Sequence, residues 1–270
     1  SNREKRGTQN QKEVNFMQKI FFSFLWVLLP TLLFSQYRRD FEQEVDLGIT
    51  GGADFSKVSF LPNMPNRMNQ LGNQSFTPNY RMGVVCRYIS QNHFGLQIET
   101  NYVKAGWEES FIDDSGSWFI YDSENDISED VHGMMLSRDI SYLEVPLLAH
   151  IYFGKRKFRF FVNLGPILNV VLDYGDLQKS GVEEELYSLV LKSDDPRLSD
   201  DYQTVGYGIT GGLGFNFILG KMHLLLEGRY MYGFSDLYSN NKADVFQRSN
   251  NQLFNVTMSL MFPVIKFKTN

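Results

Sequence analysis

Ser141-Tyr-Leu-Glu-Val-Pro-Leu-Leu-Ala-His-Ile-Tyr-Phe153 divides by parity. The odd positions are Ser141, Leu143, Val145, Leu147, Ala149, Ile151 and Phe153. The even ones carry Tyr142, Glu144, His150 and Tyr152. Successive strand residues face opposite sides, so the stretch reads as a strand with one apolar face and one bearing an acid and an imidazole. The same division recurs along the chain. Phe94, Leu96, Ile98 and Tyr102 oppose Gln97, Glu99 and Asn101. Met222, Leu224, Leu226 and Tyr230 oppose His223, Glu227 and Arg229. Phe158, Phe160, Val162 and Leu164 oppose Arg159 and Asn163, and Phe254, Val256, Met258, Leu260 and Phe262 oppose Asn255, Thr257 and Ser259.

The links between these segments alternate in length. A long link follows Val45–Ser56 and ends near Pro78; the next, Ser90–His93, is short. Gly106–Arg138 is long, Gly154–Lys157 short, Asp173–Gln203 long, Leu219–Lys221 short and Phe234–Asn251 long. This rhythm predicts an all-β fold: an eight-stranded antiparallel up-and-down transmembrane β-barrel of the OmpA/OmpX type, with tight turns at one end and loops at the other. A soluble barrel would turn its apolar face inward. Aromatics at 15% and so dense an apolar face favour lipid outside. The mean hydropathy of -0.28 is compatible, because only alternate strand residues meet lipid.

The apolar run Ile20–Phe34 is too short for a membrane-spanning helix. With Met17-Gln18-Lys19 before it and Ser35-Gln36 after it, the run reads as a signal peptide over residues 17–35. Residues 1–16 then form an upstream extension and 36–270 the barrel domain. Lys and Arg number 26 against 31 Asp and Glu, so no basic excess argues for nucleic acid. The single Cys86 excludes an internal disulfide and any multi-cysteine metal site, and it falls on a lipid-facing parity.

The inward set collects Asp46, Asp54, Glu99, Glu144 and Glu227 with Arg81, Arg87, Arg159 and Arg229. An eight-stranded interior is just wide enough for side chains to fill it, so near-balanced charges point to a salt-bridged plug. A gated polar pathway is the functional alternative. If Lys155-Arg156 is the turn, Phe153 pairs with Phe158, and Tyr152 faces Arg159. If Gly220-Lys221 is the turn, Glu227 lies opposite Gly214 and Arg229 opposite Gly212, where the absence of side chains leaves room. Phe153, Phe158, Phe217, Tyr230 and Phe262 read as an aromatic girdle.

No catalytic, cofactor or metal site emerges. Paired carboxylates need a substrate-sized cleft between them, and a filled lumen has none. His150 and His223 lack a close ligand partner of the His-x-His kind. His132 has no identifiable nucleophile beside it. Gly51-Gly52 and Gly211–Gly214 lie inside strands, with no helix following to cradle phosphate. Two links are acidic: Gly106–Arg138 and Asp173–Gln203 hold nine acids each, against one and three basic residues. Asp122–Asp130 alternates oxygen ligands but lacks the glycine of a calcium loop. Trp107, Trp118 and Tyr121 are candidates for girdle, loop packing or docking.

Tyr142-Leu-Glu-Val-Pro-Leu-Leu148 resembles the fourth strand of the PorT-like outer-membrane barrel family of Bacteroidetes. Gly48–Phe55, Asn163–Pro166, Tyr207–Phe215, Glu227–Tyr230 and Gly233–Asp236 resemble other strands of that family, so the likeness spans Val45–Phe262. It implies an eight-stranded barrel in a Gram-negative outer membrane with no activity common to its members. One namesake takes part in type IX secretion, a role that the matched strands do not carry. The final strand departs from a plain aromatic end, since Pro263–Asn270 follows Phe262.

The sequence reading is therefore a non-enzymatic barrel with a structural or interaction role. Its expected partners are outer-membrane lipids and a protein met at extracellular loops; the sequence leaves the oligomeric state open and favours a monomer. A narrow channel for ions or small solutes is the alternative, and a rim-site lipid-modifying enzyme a further one.

Overall fold

A computed structural model describes residues 43–62, 71–91, 93–112, 114, 116–122, 127–155, 157–191, 195–198, 202–238 and 246–267. The expected signal peptide and upstream extension lie outside the described residues. The strands are β1 (Gln43–Pro62), β2 (Asn73–Ser75), β3 (Thr77–Gln91), β4 (Phe94–Ser110), β5 (Phe119–Asp122) and β6 (Ile127–Asp130). They continue with β7 (Met135–Lys155), β8 (Phe158–Tyr174), β9 (Gln178–Ser180), β10 (Val205–Leu219), β11 (Met222–Asp236) and β12 (Phe246–Phe267). A short helix, α1 (Glu184–Val190), lies between β9 and β10 among the described residues.

Among the described residues, eight long strands pair antiparallel with their neighbours in sequence, and β1 closes the ring on β12. The fold is the all-β, antiparallel, up-and-down barrel that the alternation predicts. Closure leaves no long strand with a free edge. β2 pairs with the end of β4, and β9 with the start of β7, so they extend the wall beyond β3 and β8. β5 and β6 form a separate hairpin.

Parity sets the two faces. Leu47, Ile49, Met82, Val84, Leu96, Ile98, Leu213 and Leu226 are exposed outside, whereas Asp46, Thr50, Arg87, Glu99, Asn216 and Glu227 are buried inside. Phe158 stacks on Phe215 (5.4 Å) and meets Phe217 edge-on (5.3 Å) near the turn end. Phe262 is also exposed on that half, paired with Leu47. Tyr230 lies near the other rim, paired with Phe254, and its hydroxyl donates to Gln252. β12 continues past Pro263 to Phe267, which pairs with Gln43.

Two expectations need correction. In the β7–β8 hairpin, Phe153 pairs with Phe160, and Phe158 with Lys155. Gly154, at φ 117°, stays within the ladder, so the tip moves one residue along β7. The partner changes by two, which leaves every side chain on its expected face. Tyr152 accordingly pairs with Phe161, yet the Arg159 guanidinium still lies 4.9 Å from the Tyr152 ring. The second correction concerns Gly106–Arg138. Gly106–Ser110 and Met135–Arg138 are strand, paired through Ser110 and Met135, so much of this link is barrel wall.

The opposed pairs Gly212–Arg229 and Gly214–Glu227 match the expected register. A Cβ on Gly212 would stand 2.6 Å from a Glu227 carboxylate oxygen, and one on Gly214 would collide with the Phe161 ring. Large side chains of neighbouring strands thus occupy the space that glycine leaves.

Candidate functional site

Eight of the nine inward charges fall into three clusters. Arg87 donates from Nε (3.1 Å) and Nη2 (2.6 Å) to Asp46 Oδ2. Arg81 grips Asp54 with two bonds, Nε at 2.7 Å and Nη2 at 2.8 Å, and reaches Glu144 Oε2 at 3.1 Å. Arg229 holds Glu99 through Nη1 (2.9 Å) and Nη2 (2.7 Å), and Glu227 through Nε (3.0 Å) and Nη2 (2.8 Å). Two-pronged guanidinium–carboxylate contacts are the strong form of such bonds. Arg159 stands apart on Tyr152, with no carboxylate at ion-pair distance among the described residues.

Neutral groups extend the network. Gln97 and Asn101 donate to Glu99 at 2.7 and 2.9 Å. Asn163 donates to Glu227 at 3.0 Å, and its Oδ1 lies 2.8 Å from His150 Nδ1. The contacts of this network tie strands 63 to 130 residues apart across the lumen. A carboxylate held by a guanidinium is a poor base, and the arrangement joins strands across the lumen.

Glu44, Asp46 and His223 bring potential metal-ligand atoms within 4.8 Å of one another. Arg87 Nη2 also lies 2.8 Å from His223 Nδ1. A guanidinium only donates, so Nδ1 accepts and the ring proton sits on Nε2. The same guanidinium contacts Asp46 at 2.6 Å. A divalent cation would have to displace it, and this donor set does not fit a resident metal.

Toward the loop end the interior changes character. The inward parity of β4 runs Gly95, Gln97, Glu99 and Asn101, then Val103, Ala105 and Trp107. On β7 it leads from Glu144 through Tyr142 to Ile140 and Leu136. On β1 it leads from Asp54 and Ser56 to Val58 and Phe60. These side chains join Phe111, Met134, Val171, Tyr187, Met231, Leu237, Tyr238 and Leu253 in a buried apolar core. Trp107 meets Phe60 edge-on at 5.4 Å, and Tyr174 stacks on Tyr202 at 4.1 Å. The outer face inverts as well: Tyr102 is followed by Lys104 and Glu108, and Leu143 is preceded by Asp139 and Ser137.

A buried ion cluster pins this cap. Arg197 donates to Asp195 through its own backbone N (2.8 Å), Nε (3.0 Å) and Nη2 (2.7 Å), and through Nη1 to Glu109 at 2.7 Å. Glu109 Oε1 accepts the Gly72 backbone N–H at 2.8 Å. Burial opposes the Arg197 charge, and the Glu109 and Asp195 carboxylates outweigh it, raising the pKa of the guanidinium. Three separate segments, at Gly72, Glu109 and Asp195–Arg197, therefore meet in this cluster.

The sequence reading missed Glu109, Asp195 and Arg197. Glu109 was findable, since it continues the inward parity of β4. Trp107 is buried, Trp118 packs edge-on against Phe111 (5.6 Å), and Tyr121 is exposed on β5. Of the acidic run at Asp122–Asp130, Glu124 and Asp126 lie outside the described residues. Asp130 Oδ1 accepts the backbone N–H groups of Trp118 and His132.

Residues 19–239 match the family described as outer membrane protein beta-barrel domain. The chain belongs to that family. Its members are barrels, and the family points to the outer membrane of Gram-negative bacteria. Among solved structures, this outer-membrane barrel is similar to OprG of Pseudomonas aeruginosa at 14% identity and TM-score 0.41, covering 84% of this chain and 96% of that one. It is similar to Neisserial surface protein A at 10% identity and TM-score 0.39, covering 80% and 96%. It is also similar to Ail of Yersinia pestis, solved with a heparin analogue, at 12% identity and TM-score 0.38, covering 81% and 99%. Comparison with curated protein sequences finds no match.

Proposed function

We propose that this outer-membrane barrel is a closed, non-enzymatic wall element that carries a folded cap outside the cell, with a structural or interaction role. The carrying observation is double occlusion of the interior. Guanidinium–carboxylate clusters cross the lumen, and the apolar core around Trp107 stands over them. Short turns face the periplasm in such barrels and longer loops face outward, which sets the acidic loops outside. Phe119 (54% exposed) and Tyr121 (61%) on β5 are the aromatic side chains that a protein partner would meet. The chain acts as a monomer, and Tyr142–Leu148 supports a PorT-like, Bacteroidetes origin.

Planar-bilayer recording of the refolded protein tests this reading. A closed barrel gives no steady unitary steps. Reproducible single-channel conductance would establish the narrow-channel alternative instead.

A further inference from the structure

The short links Ser90–His93, Gly154–Lys157 and Leu219–Lys221 and the segment Pro263–Asn270 belong to the turn end. They hold Lys155, Arg156, Lys157, Lys221, Lys266 and Lys268 and no acid. The acidic links stand at the other end, so the barrel is charged along its axis. The cations are also gathered on one side. β8, β10, β11 and β12 are consecutive in the ring. The backbone O of Lys157, just ahead of β8, accepts the Ile218 N–H of β10 at 2.9 Å. Lys221 follows Gly220, whose φ of 68° turns β10 into β11. No atom comes within 4 Å of a Cβ built on Gly220, so this tip stands clear of the wall. His223 pairs with Met261, which sets Lys221 and Lys266 beyond the same end of the β11–β12 ladder. Across the ring, the β3–β4 link Ser90–His93 carries no lysine or arginine, and His93 Nδ1 lies 2.8 Å from the Tyr152 carbonyl O.

Lys157, Lys221 and Lys266 are exposed. Among the described residues no carboxylate lies at ion-pair distance from Lys157 or Lys221, and Lys266 meets Glu44 at 3.7 Å. Beside these cations stand exposed apolar side chains: Phe158 next to Lys157, Leu219 before the Lys221 tip, and Ile265 next to Lys266. They continue the lipid-facing belt down to its edge. Lysine stems can lie along such a surface while the ammonium groups reach the headgroup level. A zwitterionic lipid balances its own phosphate, whereas an anionic one brings the countercharge that this arc lacks.

We infer that this arc of the turn end binds anionic phospholipids of the periplasmic leaflet, with Lys157, Lys221 and Lys266 at the phosphates and Phe158, Leu219 and Ile265 against the adjoining acyl chains. The choice of leaflet rests on the orientation proposed above, with short turns toward the periplasm. The preference for negative lipid does not depend on that orientation, nor on whether the lumen conducts.

The test uses the refolded full barrel in phosphatidylcholine bilayers, with spin-labelled phosphatidylglycerol and spin-labelled phosphatidylcholine compared for the fraction held at the barrel surface. Phosphatidylglycerol should associate about threefold or more better at low salt, and the preference should shrink as salt rises. Replacing all three lysines (Lys157→Gln, Lys221→Gln and Lys266→Gln) should bring the ratio to about one. Lys104→Gln, at the loop end beside Asp139, should leave it unchanged. The heat-modifiable gel shift verifies folding. Lys221→Gln alone, at a tip clear of the wall, should lose part of the preference and keeps the test decisive if the triple variant does not fold. Equal association of the two lipids with the parent overturns the inference and leaves the lysines to an acidic protein. So does a preference that the folded variants retain, or one that Lys104→Gln removes. The leaflet is tested separately in cells: Lys221→Cys, made with Cys86→Ala, should react with an impermeant maleimide only once the outer membrane is opened. Labelling of intact cells would overturn the choice of leaflet, whatever the bilayers show.

Discussion

The two halves of the barrel wall obey opposite rules on the same strands. In the turn-end half of β4, Leu96 and Ile98 point out and Gln97 and Glu99 point in. In the loop-end half Lys104 and Glu108 point out and Val103 and Trp107 point in. Backbone pairing with β7 runs on to Ser110, so no change of fold marks the boundary. The outside medium changes instead. Lipid outside rewards apolar outward residues, and the small interior must then satisfy polar groups by pairing them. Water outside reverses the preference, and the loop end is built like a soluble β-protein, with its core within.

The sharpest way to break this comparison is to open the cap. Arg197→Ala leaves Glu109 buried without its partner and should cost about 3–5 kcal/mol. Trypsin should then cut loop-end segments while the barrel keeps its shifted mobility on an unheated gel. If the cap stays protease-resistant, the ion cluster does not pin it. Trp107→Ala empties the centre of the apolar core and should cost about 3–5 kcal/mol by urea unfolding, with the same local loss of protection. Cap and lumen collapsing together would show a single cooperative unit.

Moving a charge along one face of β4 sharpens the comparison further. Ile98→Lys puts an ammonium into lipid and should cost about 2–4 kcal/mol near mid-membrane. Lys104→Ile, on the same face beyond the boundary, should change stability by no more than about 0.5 kcal/mol. Equal effects at the two positions would remove the boundary. Replacement of Arg197, Glu109 and Asp195 together by leucines tests the cap by restoring it. An apolar trio in an apolar core should recover most of the loss seen in Arg197→Ala, because no charge is then left buried alone.

The boundary also explains what the sequence made legible. Below it, alternation carries the answer: the faces of β4, β7 and β11, and the opposed pairs Gly212–Arg229 and Gly214–Glu227, can be read directly. The β7–β8 tip was misplaced because a glycine usually signals a turn, and Gly154 stays paired at a positive φ. Above the boundary the same parity continues with its polarity exchanged. Gly106-Trp107-Glu108-Glu109 then resembles a polar loop, although it is strand. Glu109 and Arg197 lie 88 residues apart, and no local pattern links them. The ion clusters of the lumen were drawn from parity alone, which gathers residues on one face but does not choose partners. It could not separate Arg159, which rests on Tyr152, from the three arginines that hold acids.

The inverted upper wall has a consequence for how this surface can change. In many barrels the connecting loops can be shortened or exchanged with little effect on the strands beneath. Here Trp107, Met134 and Leu136 are interior residues of the longest acidic link, and Tyr187 of α1 and Leu253 of β12 share their core. Substitution should be tolerated at Glu108, Phe119 or Tyr121, whose side chains stand outside this apolar core, and resisted at their inward neighbours. The variable outer face and the fixed inner one alternate residue by residue, so a library randomised at every second position should keep the cap folded while remaking what it displays.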